Sequence, residues 1–189
     1  MFVGDGIVFR PIEEADLELV RALRNDPSVW EQLTSIGHIT PDAQAEWFSR
    51  LGGDPSRDYL AVFTEVRDEH YPIYTEGEFV GIIRMDRFDR INRSVRIGAD
   101  VTPAFRGKGY GTRIYKALLK YVFDDLGMHR AWLLVLDTND IAKKLYFNVG
   151  FKLEGKHREA VFRNGCFHDY LLMGMLESEY RERRASRNP

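Results

Sequence analysis

Two rhythms of apolar and polar positions alternate along the chain. "GIVFRPI" (6–12) reads as a short strand closed by Pro11, and "EEADLELVRALRND" places Leu17, Val20, Leu23 and Arg24 at helical spacing. "SVWEQL" and "TPDAQAEWFSRLG" read as two further helical pieces. The second has Thr40 as N-cap, Pro41 in its first turn and a stop at Gly52-Gly53. From Tyr59 the period becomes that of strands. "DYLAVFTEV", "PIYTEGEFVGIIRMDRFD" with a turn at "EGE", and "RSVRIGADVT" form an antiparallel run. Residues 112 to 126 return to helical intervals through Ile114, Leu118, Tyr121 and Val122, with Gly127 as C-cap. "RAWLLVL" is a mostly apolar strand, as expected where both faces of a sheet are covered. "NDIAKKLYFNVG" is a helix ended by Gly150, and "EGKHREAVFRNGCFHDYLLMGML" gives two strands joined through "RNG". The pattern implies one α/β domain over 1–176, followed by a charged tail over 177–189 that is expected to fray.

Composition narrows the functional classes. With 189 residues, 44% of them hydrophobic, the chain is long enough for one substantial core and short for two domains. The 27 Lys and Arg against 29 Asp and Glu leave a net charge of −2, so nothing global favours nucleic acid or an anionic membrane. A stripe of Arg84, Arg87, Arg90 and Arg93 is diluted by neighbouring acids, and no nucleic-acid partner is expected. No run reaches the roughly 18 apolar residues of a membrane span, and a cytoplasmic protein is expected. Cys166, the single cysteine, excludes an internal disulfide and reads as a small buried hydrophobe. No His or Cys pair has metal-ligand spacing, so no metal is expected.

The stretch "VTPAFRGKGYGTRIYKALLKYVF" (101–123) carries the clearest chemistry. Gly107, Gly109 and Gly111 strip side chains from the point where a strand ends and a helix begins, letting backbone N–H groups approach an anion. Arg106, Lys108 and Arg113 add positive charge, which suits a diphosphate. The G-x-G-x-G spacing differs from the dinucleotide fingerprint, and no P-loop is present.

These residues resemble the acyl-CoA-binding motif of the GNAT acetyltransferases, R/Q-x-x-G-x-G/A, here Arg106, Gly109 and Gly111. Downstream, "LLVLDTNDIAKKLYFNVGF" is similar to the second half of that family's cofactor region, with Asn139, Tyr146 and the Gly150-Phe151 pair in order. The resemblance spans about residues 5 to 176 and leans towards ribosomal-protein N-terminal, spermidine and amino-sugar acetyltransferases. It implies a central, mixed but mostly antiparallel twisted sheet flanked by helices. It also implies N-acetyl transfer from acetyl-CoA to a primary amine by direct attack in a ternary complex, without metal. A catalytically weak acyl-CoA-binding sensor or partner-binding domain on the same fold is the alternative.

The resemblance further implies roles for single residues. Backbone near Val101 holds the pantetheine and thioester carbonyl, and the amides of Arg106, Gly107, Lys108, Gly109, Tyr110, Gly111 and Thr112 hold the pyrophosphate. Asn139 bonds the pantetheine arm or substrate, or caps the following helix. Tyr146 protonates the departing thiolate, or is a core aromatic. Where many relatives have a glutamate base, this chain has Arg96, which stays protonated. Arg96 either faces an anionic acceptor or pairs across the hairpin with Asp86 or Glu78; Asp86 is itself a candidate base. His168 is expected in a structural hydrogen bond. Trp30, Glu31 and His38 are candidate acceptor-wall residues, and Arg84, Arg87, Phe88 and Asp89 candidate acceptor contacts. The acceptor is a small-molecule amine or a peptide N-terminus, and a homodimer is consistent with the family.

Overall fold

A computed structural model describes residues 2–32, 37–67 and 74–186. Among these, eight strands form one sheet in the order β1-β2-β3-β4-β5-β6-β8-β7. They are β1 (Phe2–Gly4), β2 (Ile7–Pro11), β3 (Arg57–Arg67), β4 (Tyr74–Asp89), β5 (Ser94–Val101), β6 (Arg130–Leu136), β7 (Lys152–Arg163) and β8 (Cys166–Leu176). Every neighbouring pair is antiparallel except β5 and β6, which run parallel. The sheet is therefore mixed and mostly antiparallel, with helices on its faces, as the family resemblance implies.

Side-chain alternation on β3 explains the two layers of core. Leu60 and Val62 point to one face, where they join Ile114 and Leu118 of α4 (Tyr110–Lys120) and Tyr146 and Val149 of α5 (Asp140–Val149). Ala61 and Phe63 point to the other, where they meet Val20 and Leu23 of α1 (Leu17–Asn25) and Trp47 of α3 (Pro41–Leu51). The short α2 (Pro27–Trp30) starts on Asp26, whose Oδ1 accepts from Ser28 N at 2.9 Å. Thr40 caps α3 as its sequence implies, with Oγ1 accepting from Ala43 N at 3.2 Å.

Three expectations need correction. The "EGE" segment is a bulge inside β4, not a turn: Phe63 pairs with Phe79 and Glu65 with Glu76, so Gly77 and Glu78 together face Thr64. A Cβ on Gly77 would lie 2.3 Å from Thr64 Oγ1, which already accepts from Glu78 N at 2.8 Å. The residues between β3 and β4, 68–73, lie outside the described residues. Second, residues 177–185 form a docked helix, α6 (Glu177–Ala185). Its Tyr180 ring stacks on Phe123 at 5.0 Å, its hydroxyl donates to Asp124 at 3.1 Å, and Arg181 and Arg184 reach the same carboxylate at 2.5 and 2.6 Å. One aromatic among charged residues gives too little periodicity to announce such a helix. Third, Cys166 is exposed. It follows the two-residue turn Asn164-Gly165, both with positive φ, and so opens β8 beyond the reach of the core.

What places the site is how β5 and β6 are held. They pair through only three positions, Ser94 to Arg96 with Arg130 to Trp132. Beyond them, β5 stays on β4. Val80 bulges out of the β3 ladder and its carbonyl accepts from Thr102 N at 2.9 Å, while a Cβ on Gly81 would strike Asp100 O at 2.1 Å. β6 instead follows β8 through seven pairs. The two parallel strands therefore diverge towards their C-terminal ends.

Replacing Tyr180 with alanine is expected to lower unfolding free energy by about 2 kcal/mol in urea titrations, through lost stacking and burial. A frayed tail would leave the midpoint unchanged.

Candidate active site

The divergence of β5 and β6 opens a cavity of about 420 Å³ lined by Ala99, Asp100, Val101, Leu134, Asn139 and Tyr146, with Arg106, Gly107 and Gly111 at its rim. A second cavity, about 200 Å³, is lined by Arg24, Tyr59, Arg84, Asp86, Arg96 and Tyr170. Gln32, Arg84, Leu134 and Tyr146 line both, so the two spaces adjoin.

The glycine loop leads into α4. Gly107 and Gly109 have φ of 71° and 82°, a region that side chains disfavour. Gly109 is the N-cap and contributes no side chain, and the first helical bond runs from Arg113 N to Gly109 O at 3.2 Å. The amides of Tyr110, Gly111 and Thr112 thus lack intrahelical partners. A Cβ on Gly111 would press on Leu145 at 3.1 Å, so this glycine also lets α4 lie close to α5. The basic residues ring the loop and do not cross it. Arg106 donates from Nε to Val101 O at 3.0 Å and from Nη1 to Ser28 Oγ at 2.8 Å. Lys108 lies over Phe105 and Arg113 over Tyr110.

Tyr146 is buried on α5 and faces Tyr115 of α4, whose hydroxyl donates to the Tyr146 oxygen at 3.2 Å. That bond occupies a Tyr146 lone pair and leaves its proton free to be donated. Burial pushes both phenols above their usual value, Tyr115 furthest. Asn139 is the N-cap of α5, its Oδ1 accepting from Ala142 N at 3.0 Å. Its amide nitrogen has no such bond among the described residues, and the residue lines the larger cavity. The cap and an outward-facing donor coexist.

The charged residues separate into two groups. Arg96 lies directly across from Asp86 and holds it through Nε at 2.5 Å and Nη2 at 2.6 Å. Both side chains line the smaller cavity, and each satisfies the other. Asp100, buried on β5, accepts from Arg84 Nη1 at 3.2 Å and faces Arg24 Nη1 at 3.6 Å. Burial opposes the Arg84 charge most strongly, but Asp100 together with the nearby Tyr59, Tyr115 and Tyr146 outweighs it, and the guanidinium is held more firmly protonated. Burial pulls Arg24 the other way. Several expected contacts are elsewhere. Glu31 is exposed at the end of α2 and lines neither cavity, where its neighbour Gln32 lines both. Trp30, His38 and Phe88 are also absent from both linings. Arg87 is exposed at a positive φ in the β4 irregularity, and Asp89 accepts from Asn92 in the following turn. His168 sits 3.6 Å from Asp137. No helix is long and apolar enough to cross a membrane, and no acidic, His or Cys cluster able to hold a metal occurs among the described residues.

Comparison with known proteins supplies the family. Residues 7–152 match the model described as an acetyltransferase (GNAT) domain. The chain belongs to the GNAT acetyltransferase family. Among its relatives, spermidine N(1)-acetyltransferase of Escherichia coli K12 is 24% identical over 182 residues, covering 92% of this chain and 88% of the relative. The putative ribosomal N-acetyltransferase YdaF of Bacillus subtilis is 30% identical over 123 residues, covering 65% and 67%. In fold, the chain is similar to the crystal structure of spermidine N-acetyltransferase from Vibrio cholerae in complex with CoA and spermine, with TM-score 0.80, 24% identity, and coverage of 94% and 99%. This GNAT protein is an N-acetyltransferase with acetyl-CoA as donor.

Against the GNAT motif, the sequence reading missed Gln32, Tyr59 and Tyr170 as cavity walls, because they lie on elements far apart in the chain. Arg24 carried a usable signal: it stands four residues after Val20 on the apolar side of α1, where a cation needs a partner. Replacing Arg84 with methionine should cost about 2–3 kcal/mol in chemical unfolding, because buried Asp100 keeps only the longer contact to Arg24. A neutral result would mean that the Arg84–Asp100 pair carries no stability.

Proposed function

We propose that the protein acetylates the primary amine of a small molecule by direct attack, with the acceptor in the smaller cavity and Tyr146 as proton donor. The observation that carries this reading is the Tyr146 hydroxyl, oriented by Tyr115 and set where the two cavities meet. When bound, acetyl-CoA supplies an activated acetyl thioester. The free amides leading into α4 suit its pyrophosphate, the helix N-terminus adding a favourable field. Val101 and its neighbours on the open edge of β5 suit the extended pantetheine arm. Asn139 offers its amide nitrogen to the same arm. The larger cavity is lined by parts of each of these elements: Val101, Gly107, Gly111 and Asn139.

Tyr146 acts by donating its proton to the departing sulfur, the step its geometry prepares. The chain offers little for the opposite transfer. Asp86, the carboxylate lining the smaller cavity, is tied to Arg96, and Arg96 takes no proton. The amine therefore sheds its proton to water before attack. Positioning of the two reactants supplies most of the rate. A 200 Å³ space favours a compact amine over a folded protein's N-terminus.

Saturating acetyl-CoA should raise Tm by roughly 5–10 °C at one hundred times its Kd. Gly109→Glu should remain folded by circular dichroism and lose that rise; a preserved rise would remove the loop from the donor site. Tyr146→Phe should lower kcat about 100-fold with acetyl-CoA affinity unchanged within about twofold. In wild type, kcat/KM should climb with pH to the acceptor's own amine pKa. It should show no alkaline fall below pH of about 10, since burial keeps Tyr146 protonated there. A descending limb near neutrality would assign the acid to another group.

A further inference from the structure

The smaller cavity is unevenly charged. Arg24, Arg84 and Arg96 line it, against the carboxylates of Asp86 in the wall and Asp100, which lines the adjoining cavity. Residues 33–36, which follow Gln32 in sequence, are Leu, Thr, Ser and Ile and bring no charge. Arg96 and Asp86 form a two-bond pair and cancel. Asp100 must then serve two guanidinium groups, and it matches neither with a parallel two-bond fork: Arg84 makes one bond at 3.2 Å, and Arg24 approaches only to 3.6 Å. The Arg24 Nε is buried and has no hydrogen-bond partner among the described residues. Among these residues three guanidinium groups thus stand against two carboxylates, and Arg24, which lines the cavity, has the weaker share of Asp100. A guanidinium so weakly partnered and partly dehydrated is costly, and a bound anion relieves that cost.

On this footing, which rests on the acetyl-transfer reading above, we infer that the acceptor is a compact amine bearing a carboxylate, such as a free amino acid, whose carboxylate is received by Arg24 beside Arg84. The planar fork of arginine fits a carboxylate through two parallel bonds. With the carboxylate at Arg24, the amine lies towards Tyr146, since Arg84 and Tyr146 share the wall facing the donor cavity. The space, about 200 Å³, holds the equivalent of roughly six or seven waters at about 30 Å³ each, enough for an amino acid. It also argues against a polyamine. A chain of ammonium groups would meet like charge at Arg24, and Asp86, the one carboxylate among the described lining residues, is already taken by Arg96. In this respect the site differs from what the name of its spermidine-acetylating relatives would suggest.

Thiol release from acetyl-CoA tests this with full-length protein and three sets of acceptors: free amino acids, the same amino acids as amides, and spermidine. The free carboxylates should exceed their amides at least tenfold in kcat/KM, with spermidine lowest. Arg24→Met should raise KM for the free amino acids about tenfold or more and erase the preference over amides, while leaving the acetyl-CoA thermal shift intact. Arg24→Lys, which keeps the charge without the fork, should restore part of the preference and guards against a folding defect in the first variant. Preference for amides or spermidine, or a carboxylate preference that survives Arg24→Met, overturns the inference alone. No thiol release with any acceptor, despite an intact acetyl-CoA thermal shift, overturns the transferase reading and the inference with it.

Discussion

The three-residue contact between β5 and β6 governs the rest of the molecule. Parallel strands normally run on together, but here each is claimed by its outer neighbour. β5 is held to β4 by the close approach at Gly81 and the Val80–Thr102 bond, and β6 is held to β8 along its whole length. The wedge between them exposes main-chain groups of β5 that in a continuous sheet would be paired. Buried backbone polar groups seldom go without partners. An extended ligand arm laid along this edge can satisfy them, so the gap is both a cavity and a set of donors and acceptors. The same divergence lets α5 bring Tyr146 and Asn139 to the wedge from one side while the glycine loop approaches from another.

Around that wedge, the arginines do work of different kinds although the sequence shows them as one type. Arg106 is a staple, joining Val101 to Ser28 of α2 and so linking the donor cavity to the first helices. Arg96 neutralises Asp86. Arg84 anchors a buried carboxylate at the seam between cavities. Arg24 is left with the weakest partnership. The distinction comes from geometry: a guanidinium with two short bonds is satisfied, and one with a single 3.6 Å approach is available.

Much of this was legible in the sequence. The glycine loop, the cap at Thr40, the turn through "RNG" and the helix ended by Gly150 are set by local rules, since φ, capping and turn chemistry act over a few residues. What escaped depends on distant segments. The bulge at Gly77 reads as a turn until Thr64, thirteen residues earlier in "DYLAVFTEV", is seen to claim its space. α6 is fixed by Phe123 and Asp124, more than fifty residues upstream of the side chains they receive. That Arg96 pairs with Asp86 and not with Glu78 is set by the cross-strand register, which the sequence does not show. The wall of the smaller cavity combines α1, β3, β4, β5, β6, α5 and β8, and no sequence spacing encodes such a set.

The division between main chain and side chain has a consequence for specificity. On the proposed reading, the donor is held chiefly by backbone amides and an open strand edge, features fixed by glycines and sheet register. The acceptor meets side chains: Arg24, Tyr59, Arg84, Tyr170 and the Asp86–Arg96 pair. Side chains can be exchanged singly without altering register, whereas the loop and the wedge change only with the fold. A substitution such as arginine at position 96 therefore changes the charge of the acceptor space and removes a base from it, yet leaves Tyr146, Tyr115 and the wedge where they are. On the same proposed reading, with arginine where the family resemblance implies a glutamate base, the amine loses its proton to solvent, and an acceptor whose own anion balances the surplus guanidinium is the one that the cavity favours.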